Sequence, residues 1–170
     1  SGAAATGIDF TSGNRLELHN SQIRGFSTLA VSFKPSGGTN ADLLIENSDI
    51  GDSNGNCVLL QPNGMQAAAY ITNTRIHHCS SLGIRSDSQF STGFVRTLLS
   101  KTQMFSVGQT AVSSLSGSGG GTARVTIEDS DVSNSNNGLV ANGPKAQIIL
   151  NRSTISGHSV GLGVAGGGVI

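Results

Sequence analysis

Apolar and polar residues alternate in short runs along the chain: Leu16 and Leu18, Leu43 and Ile45, Ala69 and Ile71, Val125 and Ile127, Ile148 and Leu150. An apolar residue at every second position marks a half-buried strand, because successive side chains leave the backbone on opposite faces. One further run is weaker, with Thr97 ahead of Leu99. No window sustains an apolar period of 3.6 residues, so the pattern predicts essentially no helix.

Each run leads into one motif, apolar–x–polar–Ser/Thr–x–apolar. It first reads Leu18-His19-Asn20-Ser21-Gln22-Ile23 and last reads Leu150-Asn151-Arg152-Ser153-Thr154-Ile155. Its hydroxyl residue falls at Ser21, Ser48, Thr74, Thr102, Ser130 and Ser153, in steps of 27, 26, 28, 28 and 23 residues. Shortly after each hydroxyl comes another apolar strand, such as Ala30-Val31-Ser32-Phe33 or Cys57-Val58-Leu59-Leu60, and loops rich in Gly, Pro and Asn close the unit. A sandwich carries no such higher repeat, and a propeller blade needs about 40 residues. Two or three short strands per period describe one coil of a parallel solenoid, stacked on the next at roughly 4.8 Å. We therefore read the fold class as all-β, a right-handed parallel β-helix of about six coils in a single domain over residues 1–170. The coils are numbered here by their hydroxyl residue, Ser21 marking the first.

Stacking makes residues at equal offsets neighbours. Ile23, Ile50, Ile76, Met104, Val132 and Ile155 should form one inward ladder. Asn20, Asn47 and Asn73 should sit at a sharp bend, where Asn tolerates the left-handed conformation. The Ser/Thr column reads as structural, a small residue in a tight corner. The chain opens on Gly7-Ile8-Asp9-Phe10, which matches the second strand of a unit, and closes on Val169-Ile170, where a first strand would start. This reads as a segment of a longer solenoid, with end-to-end homo-oligomer contact expected through its open terminal coils.

Composition narrows the functional classes. Lys plus Arg and Asp plus Glu balance at 10 each, and aromatics are only 4% of the chain, with no Trp. Zero net charge gives no long-range attraction for nucleic acid, and few rings are available for base stacking. No stretch approaches the roughly 20 apolar residues of a membrane span. The 24 glycines fit many tight turns. Two cysteines make no disulfide framework. Cys57 reads as core and Cys79 as a corner residue. They stand at different offsets, so a bond between them is not the favoured reading.

The units Ile127 to Leu139, Ile-Glu-Asp-Ser-Asp-Val-Ser-Asn-Ser-Asn-Asn-Gly-Leu, and Leu150 to Leu162, Leu-Asn-Arg-Ser-Thr-Ile-Ser-Gly-His-Ser-Val-Gly-Leu, resemble repeats of bacterial right-handed parallel β-helix proteins. That is the pectate-lyase-like superfamily in its broad sense. The resemblance covers nearly the whole chain and implies the fold, together with a secreted, periplasmic or cell-surface location. It leaves function open, because the fold hosts lyases, hydrolases, adhesins and other secreted proteins. Polygalacturonase-like members carry Asn-Thr-Asp, an Asp-Asp pair and Gly-His-Gly. This chain has Asn73-Thr74-Arg75, no Asp-Asp, and Gly157-His158-Ser159, so the catalytic acids are missing.

Equal offsets bring Asp49 beside Arg75 and Asp52 beside His78. With Glu46 and His77 these make the densest ionisable patch of the chain, on coils two and three. The residue types suit proton transfer or sugar binding. Asp49, Asp52, Arg75, His77 and His78 are therefore the candidate ligand-binding residues. No catalytic residue, cofactor or metal is assigned. On a strand the adjacent His77 and His78 would point to opposite sides, and no second ligand pair follows at metal spacing. Asp129 and Asp131 lie in one coil and make a weak catalytic pair. Ser116 to Thr122 is glycine-rich but lacks the Lys-Ser/Thr of a phosphate loop. The reading is a non-catalytic scaffold segment of a bacterial secreted or surface protein, in contact with polysaccharide. The alternative is a carbohydrate-active enzyme, a lyase or glycoside hydrolase or its remnant, with its site on coils two and three.

Overall fold

The computed structural model describes residues 4–170, with no helix among them. Every strand pairs in parallel, into three sheets. Sheet A has seven strands, sheets B and C have six each, and successive strands along the chain join A, B and C in turn. One turn of the chain thus runs Gln66–Thr72 in sheet B, Arg75–Cys79 in sheet C and Leu82–Asp87 in sheet A. The result is a parallel β-solenoid of about six turns, as the repeat predicts.

The register follows the repeat residue for residue. Ile23, Ile50, Ile76, Met104, Val132 and Ile155 are successive partners in sheet C and point inward. Sheet B sends in two ladders, Leu43–Ala69–Thr97–Val125–Ile148 and Ile45–Ile71–Leu99–Ile127–Leu150. Thr97, the weak point of the pattern, is enclosed in the core, where its hydroxyl donates to Ser86 Oγ at 3.2 Å. A core of stacked Ile, Leu and Val is the main apolar burial of the fold, and no single coil could achieve it alone.

Between sheets B and C the chain turns through one left-handed residue per coil: Asn20, Asn47, Asn73, Lys101, Asp129 and Arg152, with φ between 43° and 52°. The three asparagines fall where the sequence places them, and Asn73 Nδ2 donates to Asn47 Oδ1 at 2.7 Å. The hydroxyl residue follows immediately. Its Oγ donates to the carbonyl two residues back, at 2.7 Å from Ser48 to Glu46 and 2.6 Å from Ser130 to Glu128. At four of the five steps between coils it also accepts the N–H of the hydroxyl residue one coil earlier: Ser21 N–H reaches Ser48 Oγ at 3.1 Å, and Thr102 N–H reaches Ser130 Oγ at 3.0 Å. The column is thus more than a small corner residue. It carries the coil-to-coil hydrogen bond through the corner, where an unmet buried N–H would be costly.

A second left-handed column closes sheet C: Gly25, Asp52, His78, Ser106, Asn134 and Gly157. Beyond it the chain turns into sheet A. This corner corrects the reading of the cysteines. Cys57 and Cys79 are both enclosed and form a disulfide, Cα to Cα 5.6 Å. Cys79 ends its sheet C strand, whereas Cys57 lies near the start of its sheet A strand one coil earlier. Different offsets meet because inward side chains of two sheets converge where those sheets join. Closing a loop with a sequence separation of 22 stabilises the fold by about 3 kcal/mol in the chain-entropy account.

Replacing Ser48 by alanine should leave the Ser21 N–H without its acceptor and destabilise the fold by about 1–3 kcal/mol, while Ser48→Thr should be near neutral. Chemical denaturation of the two variants checks this. Equal midpoints would mean that the hydroxyl column is only space-filling.

Candidate functional site

The candidate site lies on the outer face of sheet C. Arg24, Gly51, His77 and Phe105 are successive partners in register. The glycine creates the site. A Cβ at position 51 would stand 2.6 Å from both His77 Cε1 and the His77 carbonyl oxygen, so only glycine leaves room for the imidazole in its place beside residue 51. On its other face the His77 ring stacks on Phe105, with centroids 5.2 Å apart and planes 12° from parallel. His77 is thereby almost wholly buried.

Asp49 is the hub. Its Oδ1 accepts Arg24 Nε and His77 Nε2, both at 2.9 Å, and its Oδ2 accepts the Arg24 guanidinium at 2.6 Å. Arg75 stands 3.7 Å from Oδ2, with its guanidinium carbon 5.6 Å from the Phe105 ring centroid. Burial alone would push the Asp49 carboxyl up. The hydrogen bonds from Arg24 and His77, with the charge of Arg24, outweigh it and hold Asp49 below the ordinary aspartate value.

His78 departs from the expected strand geometry. Its φ of 50° swings it onto the same side as His77, and the two Nδ1 atoms approach to 2.8 Å. Asp52, in the same left-handed column one coil earlier, places Oδ1 3.9 Å from His78 Nδ1. Donor atoms of Asp52, His77 and His78 all lie within 4.8 Å of one another, so these three are the residues that could hold a metal. Because Asp49 accepts at His77 Nε2, a neutral His77 has its lone pair on Nδ1, and His78 Nδ1–H is the donor between the rings.

The two pairs expected from equal offsets, Asp49 with Arg75 and Asp52 with His78, are both present. Glu46 is not part of the group. It ends a sheet B strand and pairs with His19 at 3.2 Å. Asp129 sits in the left-handed corner with Arg152 on both oxygens, at 2.8 and 3.0 Å, a hydrogen-bonded pairing that lowers its carboxyl below the usual range. His158 is a backbone brace. Its Nδ1 accepts Ser135 N–H at 3.1 Å, and its Nε2 donates to the Val132 carbonyl at 3.0 Å. No family model matches the chain, and no curated protein or solved structure is significantly similar to it. The resemblance to bacterial β-helix repeats therefore stands at the level of the parallel solenoid alone.

Several residues escaped the sequence reading. Arg24 and Phe105 complete the His77 site, and their offsets, shared with His77, were the available signal. Asp87 is fully buried and accepts Arg85, Gln61 and the Gln89 N–H. On the outer face of sheet B, Tyr70 and Phe94 are exposed beside Arg96 and Arg124, around a dip at Ala68. The Arg96 guanidinium lies 4.6 Å from the Phe94 ring centroid.

A group held more acidic in the folded than in the unfolded chain adds stability above its unfolded value, near 3.9 for aspartate, and loses it as pH falls through the folded value. Asp49→Asn should therefore destabilise the protein by about 1–3 kcal/mol at neutral pH. The deficit should shrink as pH drops below about 4. Urea titrations across this range check it, and a deficit independent of pH would contradict the assigned ionised role of Asp49.

Proposed function

We propose that the chain is a non-catalytic, rigid solenoid segment of a bacterial secreted or surface protein, and that it contacts polysaccharide through a lateral face. The observation that carries this is the state of Asp49. The most enclosed carboxylate of the candidate site has both oxygens held by cations and is kept ionised. A glycosidase acid must instead hold a transferable proton opposite a second carboxyl group. The Cys57–Cys79 disulfide supports a location outside the reducing cytosol.

The face best suited to polysaccharide is that of sheet B. The exposed rings of Tyr70 and Phe94 offer apolar faces to a sugar ring, and Arg96 and Arg124 offer donors to its hydroxyls or carboxylates. Calorimetric titration with neutral and uronic-acid oligosaccharides should give binding that Tyr70→Ala and Arg96→Ala each weaken about tenfold or more, roughly 1.4 kcal/mol. Release of new reducing ends or unsaturated products from any of these sugars would replace the scaffold reading by the enzymatic one.

End-to-end association of copies belongs to the same proposal. Leu162 and Val164, inward-facing residues of the last sheet A strand, are 53% and 58% exposed. Multi-angle light scattering should show a dimer or larger species that Leu162→Asp returns to monomer. A monomer at every concentration would remove self-association from the proposal.

A further inference from the structure

We propose that His77 Nδ1, His78 Nδ1 and the Asp52 carboxylate form a binding site for a borderline divalent cation of the Zn²⁺ type. Two imidazoles and one carboxylate suit zinc and its neighbours, and do not suit Mg²⁺ or Ca²⁺, which take oxygen ligands. Three protein ligands leave a fourth position for water or for an oxygen of a bound molecule. That position opens to solvent, because the His78 and Asp52 side chains are 58% and 49% exposed.

Four features of the fold build this site. The left-handed turn at His78 puts adjacent histidines on one side of the strand, and the same turn one coil earlier aligns Asp52 with it. Gly51 and Phe105 hold the His77 ring on its two faces. Asp49 Oδ1 accepts a hydrogen bond from His77 Nε2–H at 2.9 Å. This carboxylate–imidazole contact behind a ligand fixes the tautomer, directs the Nδ1 lone pair outward and strengthens it as a donor. The fourth feature is the 2.8 Å approach of the two Nδ1 atoms, with Asp52 Oδ1 3.9 Å from that of His78. Metal–nitrogen bonds of 2.0–2.1 Å in a tetrahedron set ligands about 3.3 Å apart, so binding needs the two rings to part by about 0.5 Å. The proton between the rings need not leave the protein. His78 changes to its Nε2–H tautomer as Nδ1 takes the cation.

The test is calorimetric titration of the full chain with Zn²⁺, paired with the visible absorption of Co²⁺, which is intense in tetrahedral N/O coordination. The expected result is one ion per chain. His78→Asn, which suits the left-handed backbone, should abolish binding, and Asp52→Asn should weaken it. Asp49→Asn should weaken it about 10–100-fold without touching the ion, an effect of the carboxylate behind the ligand. Circular dichroism verifies that each variant is folded. Absence of Zn²⁺ heat and Co²⁺ bands would overturn the proposal. So would unchanged affinity in His78→Asn, which would place the ion elsewhere, for example at exposed His19 between Glu17 and Glu46.

Discussion

The structure depends on the parallel stacking of one coil on the next. Each residue lies in register with the residue one period away, and backbone hydrogen bonds run between coils throughout the three sheets. This single constraint converts a one-dimensional repeat into columns. Apolar columns merge into a continuous core, and polar columns become lines of neighbouring side chains on the surface. Where the sheets turn, the constraint is hardest to meet, and there the chain uses two left-handed columns, a Ser/Thr hydrogen-bond column and one disulfide.

The same constraint produces the candidate site. Glycine at position 51 is a break in an outward column, and the imidazole one coil later fills the gap. Asp49 can then accept from Arg24 one coil earlier and from His77 one coil later. His78 lies in a corner column whose other members include Gly25, Asp52 and Asn134, residue types that tolerate a positive φ. A histidine there meets the backbone demand of the corner at some cost and gains a position beside His77 that a regular strand would deny it. Other ionisable groups of the fold show the opposite habit. Asp129 and Asp87 are taken up by neighbouring cations, and His158 by backbone groups, so these ionisable groups serve the fold.

The sequence by itself determined the parallel solenoid, its period, one inward ladder and the asparagine corner, because each rests on spacing between residues of the same coil or on equal offsets between coils, while the count of three sheets came from the structure. It also determined that Asp49 meets Arg75 and Asp52 meets His78. Tertiary structure alone decided what happens between unequal offsets. Cys57 and Cys79 meet across a corner where two sheets converge. Glu46 stays apart from Asp49 because it lies on sheet B, around the bend, beside its register partner His19. The two histidines share a side because of one backbone torsion at residue 78. Spacing predicts neighbours along the stack, but the angle of a corner is set by φ and ψ at single residues and by which sheets it joins. Those quantities exist only once the coil has closed.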